Sequence, residues 1–209
     1  MQRIFIPFKK AKSHIKEADI LLFRPAVWYE HILAITQMGE YSHVGLASWH
    51  NGNNLLEIIQ FSGSDGGGNT KNLGRVVQQL PHLIDVYRVS DCRQGIFFNP
   101  ATQAIETKKV VLPRKQITNM LRSFTGLPYG WKGIWWFLKK WMVGLRLFYS
   151  MQDVVNDTTQ EVVAPVCSTI IAHIFSHHDF DLIKNRADKY ISPGVLALST
   201  HLHYLFTLE

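Results

Sequence analysis

Tyr41-Ser42-His43-Val44-Gly45-Leu46-Ala47-Ser48-Trp49, His50-Asn51-Gly52-Asn53-Asn54 and Leu55-Leu56-Glu57-Ile58-Ile59-Gln60-Phe61 follow one another without a break. The first and third runs are rich in aliphatic and aromatic residues, and Asn-Gly between them is the strongest hairpin signal in the chain. Side chains alternate between the two faces of a strand, so the length of the connecting loop decides what His43 meets. A two-residue Asn51-Gly52 turn pairs residue 43 with residue 60 and sends Glu57 to the other face. An odd-length loop, of three or five residues, brings His43 and Glu57 to one face. We adopt the odd loop, because a histidine that takes up a proton needs its second ring nitrogen held by a polar group, and a carboxylate one strand away meets that need.

Working outward, Glu17 to Arg24 is a short apolar run bounded by charge, compatible with a buried strand. Pro25 can open a helix carrying Val27, Ile32, Leu33, Ile35 and Met38 up to Gly39. Ser62 to Asn72, with Gly63, Gly66, Gly67 and Gly68, reads as a mobile loop; it lacks the lysine and the strand-to-helix setting of a phosphate-binding loop. Val76-Val77 and Ile84 to Val89 read as two further strands. From Pro100 the pattern turns helical, over Ala101 to Lys109 and again over Pro113 to Thr125, where Ile117, Met120, Leu121 and Phe124 share a face. Gly126-Leu127-Pro128-Tyr129-Gly130 stops that helix. After a polar stretch from Gln152 to Glu161 comes a helix opening behind Pro165, and residues 191 to 206 hold a short helix and a final strand. Neither repeat nor linker divides the chain. The expectation is a single α+β domain spanning 1-209, with a small antiparallel sheet or half-barrel packed on helices.

The chain has 209 residues, enough for one well-packed domain. Its hydrophobic share of 46% needs no disulfide or metal to support a core. The formal net charge of +6 is spread in small groups and comes with no nucleic-acid-binding motif, so nucleic acid is excluded as a partner. Two cysteines, Cys92 and Cys167, rule out a disulfide scaffold and an all-cysteine zinc site. His177, His178 and Asp179 are neighbours at a helix end and do not converge on an ion, and His201 and His203 lack a third ligand, so no metal or cofactor is expected. The start of the chain carries no signal peptide, pointing to the cytoplasm, to membrane association or to a non-classical export route. Trp131, Trp135, Trp136 and Trp141 crowd one segment, about 131-151, broken by Lys132, Lys139, Lys140 and Arg146. It is too interrupted to span a bilayer, which takes about 20 apolar residues. It reads equally as core or as an amphipathic element for peripheral membrane contact.

Chemistry concentrates at Ala164-Pro165-Val166-Cys167-Ser168-Thr169. A helix start favours a thiolate through its positive dipole end, and its unpaired N–H groups can point at a developing oxyanion. A lone helical cysteine is more often a small buried hydrophobe. His43 and Glu57 upstream change that balance by supplying a base and a group to orient it. Cys92 lacks a helix start, and Ser168 lacks a nucleophile elbow.

The order Ser42-His43-Val44-Gly45, hairpin-borne Glu57, Gly126-Leu127-Pro128-Tyr129, then Val166-Cys167-Ser168 resembles the circularly permuted branch of the NlpC-type papain-like cysteine hydrolases. That branch includes the YaeF/YiiX-like bacterial proteins and the lecithin:retinol acyltransferase-like proteins, and in it the histidine strand precedes the cysteine helix. The likeness runs from Asp19-Ile20-Leu21-Leu22 to Ser192-Pro193. It implies a papain-like fold, with Cys167 as nucleophile, His43 as general base and Glu57 as the orienting residue. It also implies that Tyr129 lies near the nucleophile. Tyr41 and Ser168, beside the two reactive residues, and Trp131 and Trp135 complete the expected substrate contacts. The expected activity is that of a bacterial or phage cysteine hydrolase of amidase or peptidase type, working through a covalent acyl-enzyme. Its substrate would be an amide or acyl compound such as a lipid or a peptidoglycan fragment. The alternatives are a lipid acyltransferase or thioesterase, and a non-catalytic lipid-binding module in which Cys167 and His43 stand beyond hydrogen-bond reach.

Overall fold

The computed structural model describes residues 2–36, 39–50, 54–99, 103–129, 167–183 and 191–209. The Trp-rich segment 131-151, and with it Trp131 and Trp135, lies outside the described residues. In chain order come β1 (Phe5–Ile6), α1 (Phe8–Ala11), a 3-10 turn (Lys12–His14), β2 (Ile20–Phe23), α2 (Trp28–Thr36), β3 (His43–His50), β4 (Leu55–Ser62) and β5 (Gly67–Asn72). They are followed by α3 (Leu73–Gln79), β6 (Ile84–Val89), β7 (Cys92–Asn99), β8 (Ala104–Val111), α4 (Arg114–Ser123), α5 (Cys167–His177), α6 (Pro193–Leu196) and β9 (Leu202–Leu208). The class is α+β. Seven strands form one sheet in the order β1-β9-β6-β2-β3-β4-β5, antiparallel throughout except where β1 runs parallel to β9. The sheet is thus larger than expected and mixed, and β7 and β8 form a separate two-stranded ribbon.

Alternation explains why this sheet is covered on both faces. Ile20, Leu22, Val44, Leu46, Ile59 and Phe61 pack with Ile117 and Leu121 of α4 and Ile171, Ile174 and Phe175 of α5. Leu21, Phe23, Ala47, Ile58 and Val86 pack on the other side with Ala11 of α1 and Leu73, Val76 and Val77 of α3. Every residue of β2 is therefore buried, as its uninterrupted apolar run requires. Each large aliphatic or aromatic side chain enclosed this way contributes about 1.5–3 kcal/mol.

Three local expectations are corrected. Val76 and Val77 lie in α3, not in a strand: Asn72 caps that helix by accepting from the Arg75 N–H at 3.1 Å, and Leu73, Val76 and Val77 recur at helical spacing to face the core. Residues 104 to 109 belong to β8, not to a helix, because Cys92 to Asn99 supplies a full antiparallel partner for Ala104 to Val111. Ile105, Thr107, Val110 and Val111 are β-branched and suit that pairing.

The Gly-rich stretch is the third. It is not a loose loop: a tight turn over residues 63–66 leads into β5, which pairs with β4 from Ser62↔Gly67 to Glu57↔Asn72. Its glycines let another backbone come close. A Cβ on Gly67, whose φ is +149°, would stand 2.0 Å from the Leu127 carbonyl oxygen. Gly68 donates to that oxygen at 3.0 Å, Gly126 donates to Gly68 O at 2.8 Å, and Tyr129 donates to Gly66 O at 3.2 Å. Residues 126–129 are thereby docked on the start of β5. Gly67→Ala should cost about 2 kcal/mol or more through backbone strain and collision. At this chain length that lowers Tm by about 4–8 °C in a thermal melt, and an unchanged Tm would contradict the docking.

Candidate active site

The register of β3 on β4 settles the partner of His43. Gly45 faces Gln60, Ser48 faces Glu57 and His50 faces Leu55, leaving a four-residue connection, 51–54. The loop is even, so His43 shares a face with Gln60, and Glu57 lies on the opposite one. His43 Nε2 stands 3.0 Å from Gln60 Oε1. Glu57, expected beside His43, is therefore corrected to the opposite face, and Gln60 is the polar side chain that stands beside the ring. The signal was present in the sequence, since an even turn already places residue 60 beside residue 43, but loop parity could not be read from Asn-Gly alone.

Glu57 does different work. Its Oε2 accepts from Arg122 Nη2 of α4 at 2.8 Å, and the same nitrogen donates to Ser48 Oγ at 3.1 Å. Ser48 Oγ in turn donates to Glu17 Oε1 at 2.8 Å, and Glu17 Oε2 accepts from the Trp49 N–H at 2.7 Å. Thr118 of α4 also donates to Glu17. These bonds tie α4 to the sheet.

Cys167 is the first residue of α5 and only 3% exposed. Its thiol hydrogen-bonds to His43, to the backbone of Val44 and Ser168, and to the Tyr129 hydroxyl. Burial pushes the thiol up, but the imidazolium charge, the His43 hydrogen bond and the two backbone N–H donors prevail and hold it below its ordinary value of 9.0. Burial pulls His43 down; the Cys167 thiolate charge and hydrogen bond, the Gln60 hydrogen bond and the charge of Glu30 on α2 together carry it above its ordinary 6.5. The two shifts have one cause, each group favouring the charged form of the other. Both shifts favour the thiolate–imidazolium form. That form is lost to thiol as pH falls through the lowered thiol pKa and to neutral imidazole as pH rises through the raised imidazole pKa.

Tyr129 is raised out of its usual range, first by burial and then by the Cys167 charge and hydrogen bond. It therefore stays a neutral donor against the sulfur. The other expected substrate contacts are committed elsewhere. Ser168 is buried and its Oγ donates to the Ile191 carbonyl at 2.6 Å, anchoring the start of α5. Tyr41 is buried, its hydroxyl donating to Asp85 Oδ2 at 2.8 Å and lying 2.9 Å from the Tyr87 hydroxyl. It lines a cavity of about 360 Å³ with Arg3, Asp85, Tyr87 and Tyr204, none of which bears on the thiol. Among the described residues no three His, Cys, Asp or Glu side chains converge as a metal site, and no helix is long and apolar enough to cross a membrane.

No family model and no curated protein matches the sequence. Among solved structures the fold is similar to the crystal structure of metalloprotein yiiX from Escherichia coli O157:H7, DUF1105. The TM-score is 0.51 at 12% identity, over 92% of this chain and 97% of that one. The chain has a YiiX-like fold. At that identity the likeness speaks for the arrangement of elements and leaves the chemistry to the side chains described above.

Two substitutions separate the roles of the β4 residues. Gln60→Ala removes the acceptor that raises His43, so the pH midpoint of Cys167 alkylation should rise. Glu57→Ala should leave that midpoint unmoved but cost about 1–3 kcal/mol of stability by stranding Arg122. Alkylation must be followed at Cys167 by peptide mass spectrometry, because Cys92 is an exposed free thiol. A midpoint shift with Glu57→Ala and none with Gln60→Ala would reverse the assignment.

Proposed function

We propose that the protein is a cysteine hydrolase of the permuted papain-like type, with Cys167 as nucleophile, His43 as general acid and base, and Gln60 as the residue that orients His43. The single observation that carries this reading is the hydrogen-bonded Cys167–His43 pair, with the thiol lowered and the imidazole raised. A binding module has no need of a buried thiol and a buried imidazole that each favour the other's charged form; an acyl-transfer site does. The YiiX-like fold and the order of His43 strand before Cys167 helix lend further support.

In this mechanism the thiolate sulfur attacks a carbonyl carbon, and the oxygen takes the negative charge. The Ser168 N–H at the start of α5 and the Tyr129 hydroxyl, both already directed at the sulfur, supply donors next to that oxygen. The His43 imidazolium gives its proton to the departing amine or alcohol, leaving a thioester on Cys167. Neutral His43 then takes a proton from water, whose oxygen attacks the thioester, and the thiolate leaves while His43 is again protonated.

A lipid or fatty-acyl substrate is favoured over a peptide by α2. Trp28 is 74% exposed and Ile35 70% exposed, with Tyr29 and Ile32 about half exposed. The same helix carries Glu30, whose charge reaches His43. An apolar face beside the reacting pair suits an acyl chain or the surface that delivers one.

Wild type should accept an acyl group from p-nitrophenyl esters of graded chain length, seen as an added acyl mass on the Cys167 peptide. Cys167→Ala should show none, and His43→Ala should acylate at least about a hundredfold more slowly at pH 7, the scale of general-base assistance. Equal labelling of wild type and His43→Ala would sink the proposal. Longer acyl chains should react faster, and Trp28→Ser with Ile35→Ser should abolish that preference; indifference to chain length would remove the lipid reading while leaving the hydrolase one.

A further inference from the structure

A carboxamide is an ambiguous orienting group. Gln60 can turn either its oxygen or its nitrogen toward His43, and the two choices impose opposite ring tautomers. With oxygen toward the ring, Nε2 carries the hydrogen and Nδ1 is left for the thiol. With nitrogen toward the ring, Nε2 must accept, Nδ1 carries the hydrogen in the neutral ring, and the base is spent.

The β4–β5 hairpin removes the ambiguity. Gln60 Nε2 lies 3.4 Å from Asp65 Oδ2 and 3.3 Å from Asn69 Oδ1. Asn69 has its own two-way choice, closed because its Nδ2 donates to Asp65 Oδ2 and to the Gly67 carbonyl, both at 3.2 Å. Asp65 can only accept while it is ionised. The Lys71 ammonium, 2.6 Å from Oδ2, keeps it so: burial works against the charge, but Lys71 and the Asn69 and Ser62 hydrogen bonds hold the carboxyl below its usual range. The donor-to-acceptor order thus runs from His43 Nε2–H through Gln60 and Asn69 to Asp65, where Lys71 donates as well. Asp65 sits in the 63–66 turn, partly exposed and outside both hydrophobic cores.

We propose that Asp65, assisted by Asn69, is a positioning residue that fixes the orientation of the Gln60 amide and through it holds neutral His43 in the Nε2–H tautomer. This deepens the hydrolase reading by naming what selects the base's tautomer. It rests on that reading only for its effect on rate, because the tautomer itself can be measured without turnover.

The test is ¹⁵N NMR of the His43 ring in the Cys167→Ala protein at a pH where the ring is neutral. Nε2 should be the protonated nitrogen. In Cys167→Ala/Asp65→Ala the Nε2–H to Nδ1–H ratio should fall about tenfold, the population ratio one net hydrogen bond supplies. Asn69→Ala in the same background should move the ratio in the same direction, with the amide spectrum remaining dispersed in each case. An unchanged tautomer in both variants overturns the proposal, and a change with Asn69→Ala alone removes Asp65 from it. With Cys167 intact, alkylation at pH 7 should slow about tenfold in Asp65→Ala. Should the ratio shift while Cys167 proves unreactive in wild type, the positioning network stands and the hydrolase reading fails.

Discussion

The alternation of side chains along β3 and β4 is the constraint on which the site depends. Opposed residues in this pair fall at Gly45↔Gln60 and Ser48↔Glu57, and a shift of one residue would exchange every side chain between the two faces. His43 would then lose Gln60 and meet Glu57, while Arg122 would lose the carboxylate that ties α4 to the sheet. The register is held from both sides. Val44, Leu46, Ile59 and Phe61 must face α4 and α5, while Ala47 and Ile58 must face α3. A slip would set charge and core side chains against the wrong layer on both faces at once.

Each polar group on this hairpin thereby gains a defined task. On the α4 side, Glu57, Ser48 and Glu17 accept and relay bonds from Arg122 and Thr118, fastening that helix to the sheet. On the other side, an uncharged amide meets His43. That division has an electrostatic consequence: a carboxylate at position 60 would stabilise the imidazolium more strongly, but its oxygens would repel the acceptors of Asp65 and Asn69. An amide, with one donor end and one acceptor end, is the group that fits between a carboxylate and an imidazole N–H.

The Gly-rich stretch joins these themes. Its glycines admit the backbone of residues 126–129, which puts Tyr129 on the Cys167 sulfur, while its polar residues pin Gln60 from the opposite direction. A segment whose composition resembles flexible chain is in fact shaped by close backbone approach. Flexibility and close approach both call for glycine, and composition cannot tell them apart. Val76-Val77 and Ala104 to Lys109 pose the same problem. Two β-branched residues entered a helix because Asn72 caps it and the core lies on that side. A helix-tolerant run became a strand because Cys92 to Asn99 offered a pairing partner.

By itself the sequence determined what local chemistry can determine. The β3–β4 hairpin, the buried strand β2, the helices α4 and α5 and the closing α6 and β9 follow from periodicity, turn residues and proline placement within windows of a dozen residues. The placement of Cys167 at a helix start and of His43 at a strand start was also legible, since both are local features. Which polar residue serves His43 was decided only in three dimensions. It turns on the parity of a four-residue loop and on core packing against α3, α4 and α5, and these are contacts between segments far apart in the chain. The orientation of the Gln60 amide was decided further out still, by Asp65, Asn69 and Lys71, whose donors and acceptors acquire direction only once β5 has paired with β4.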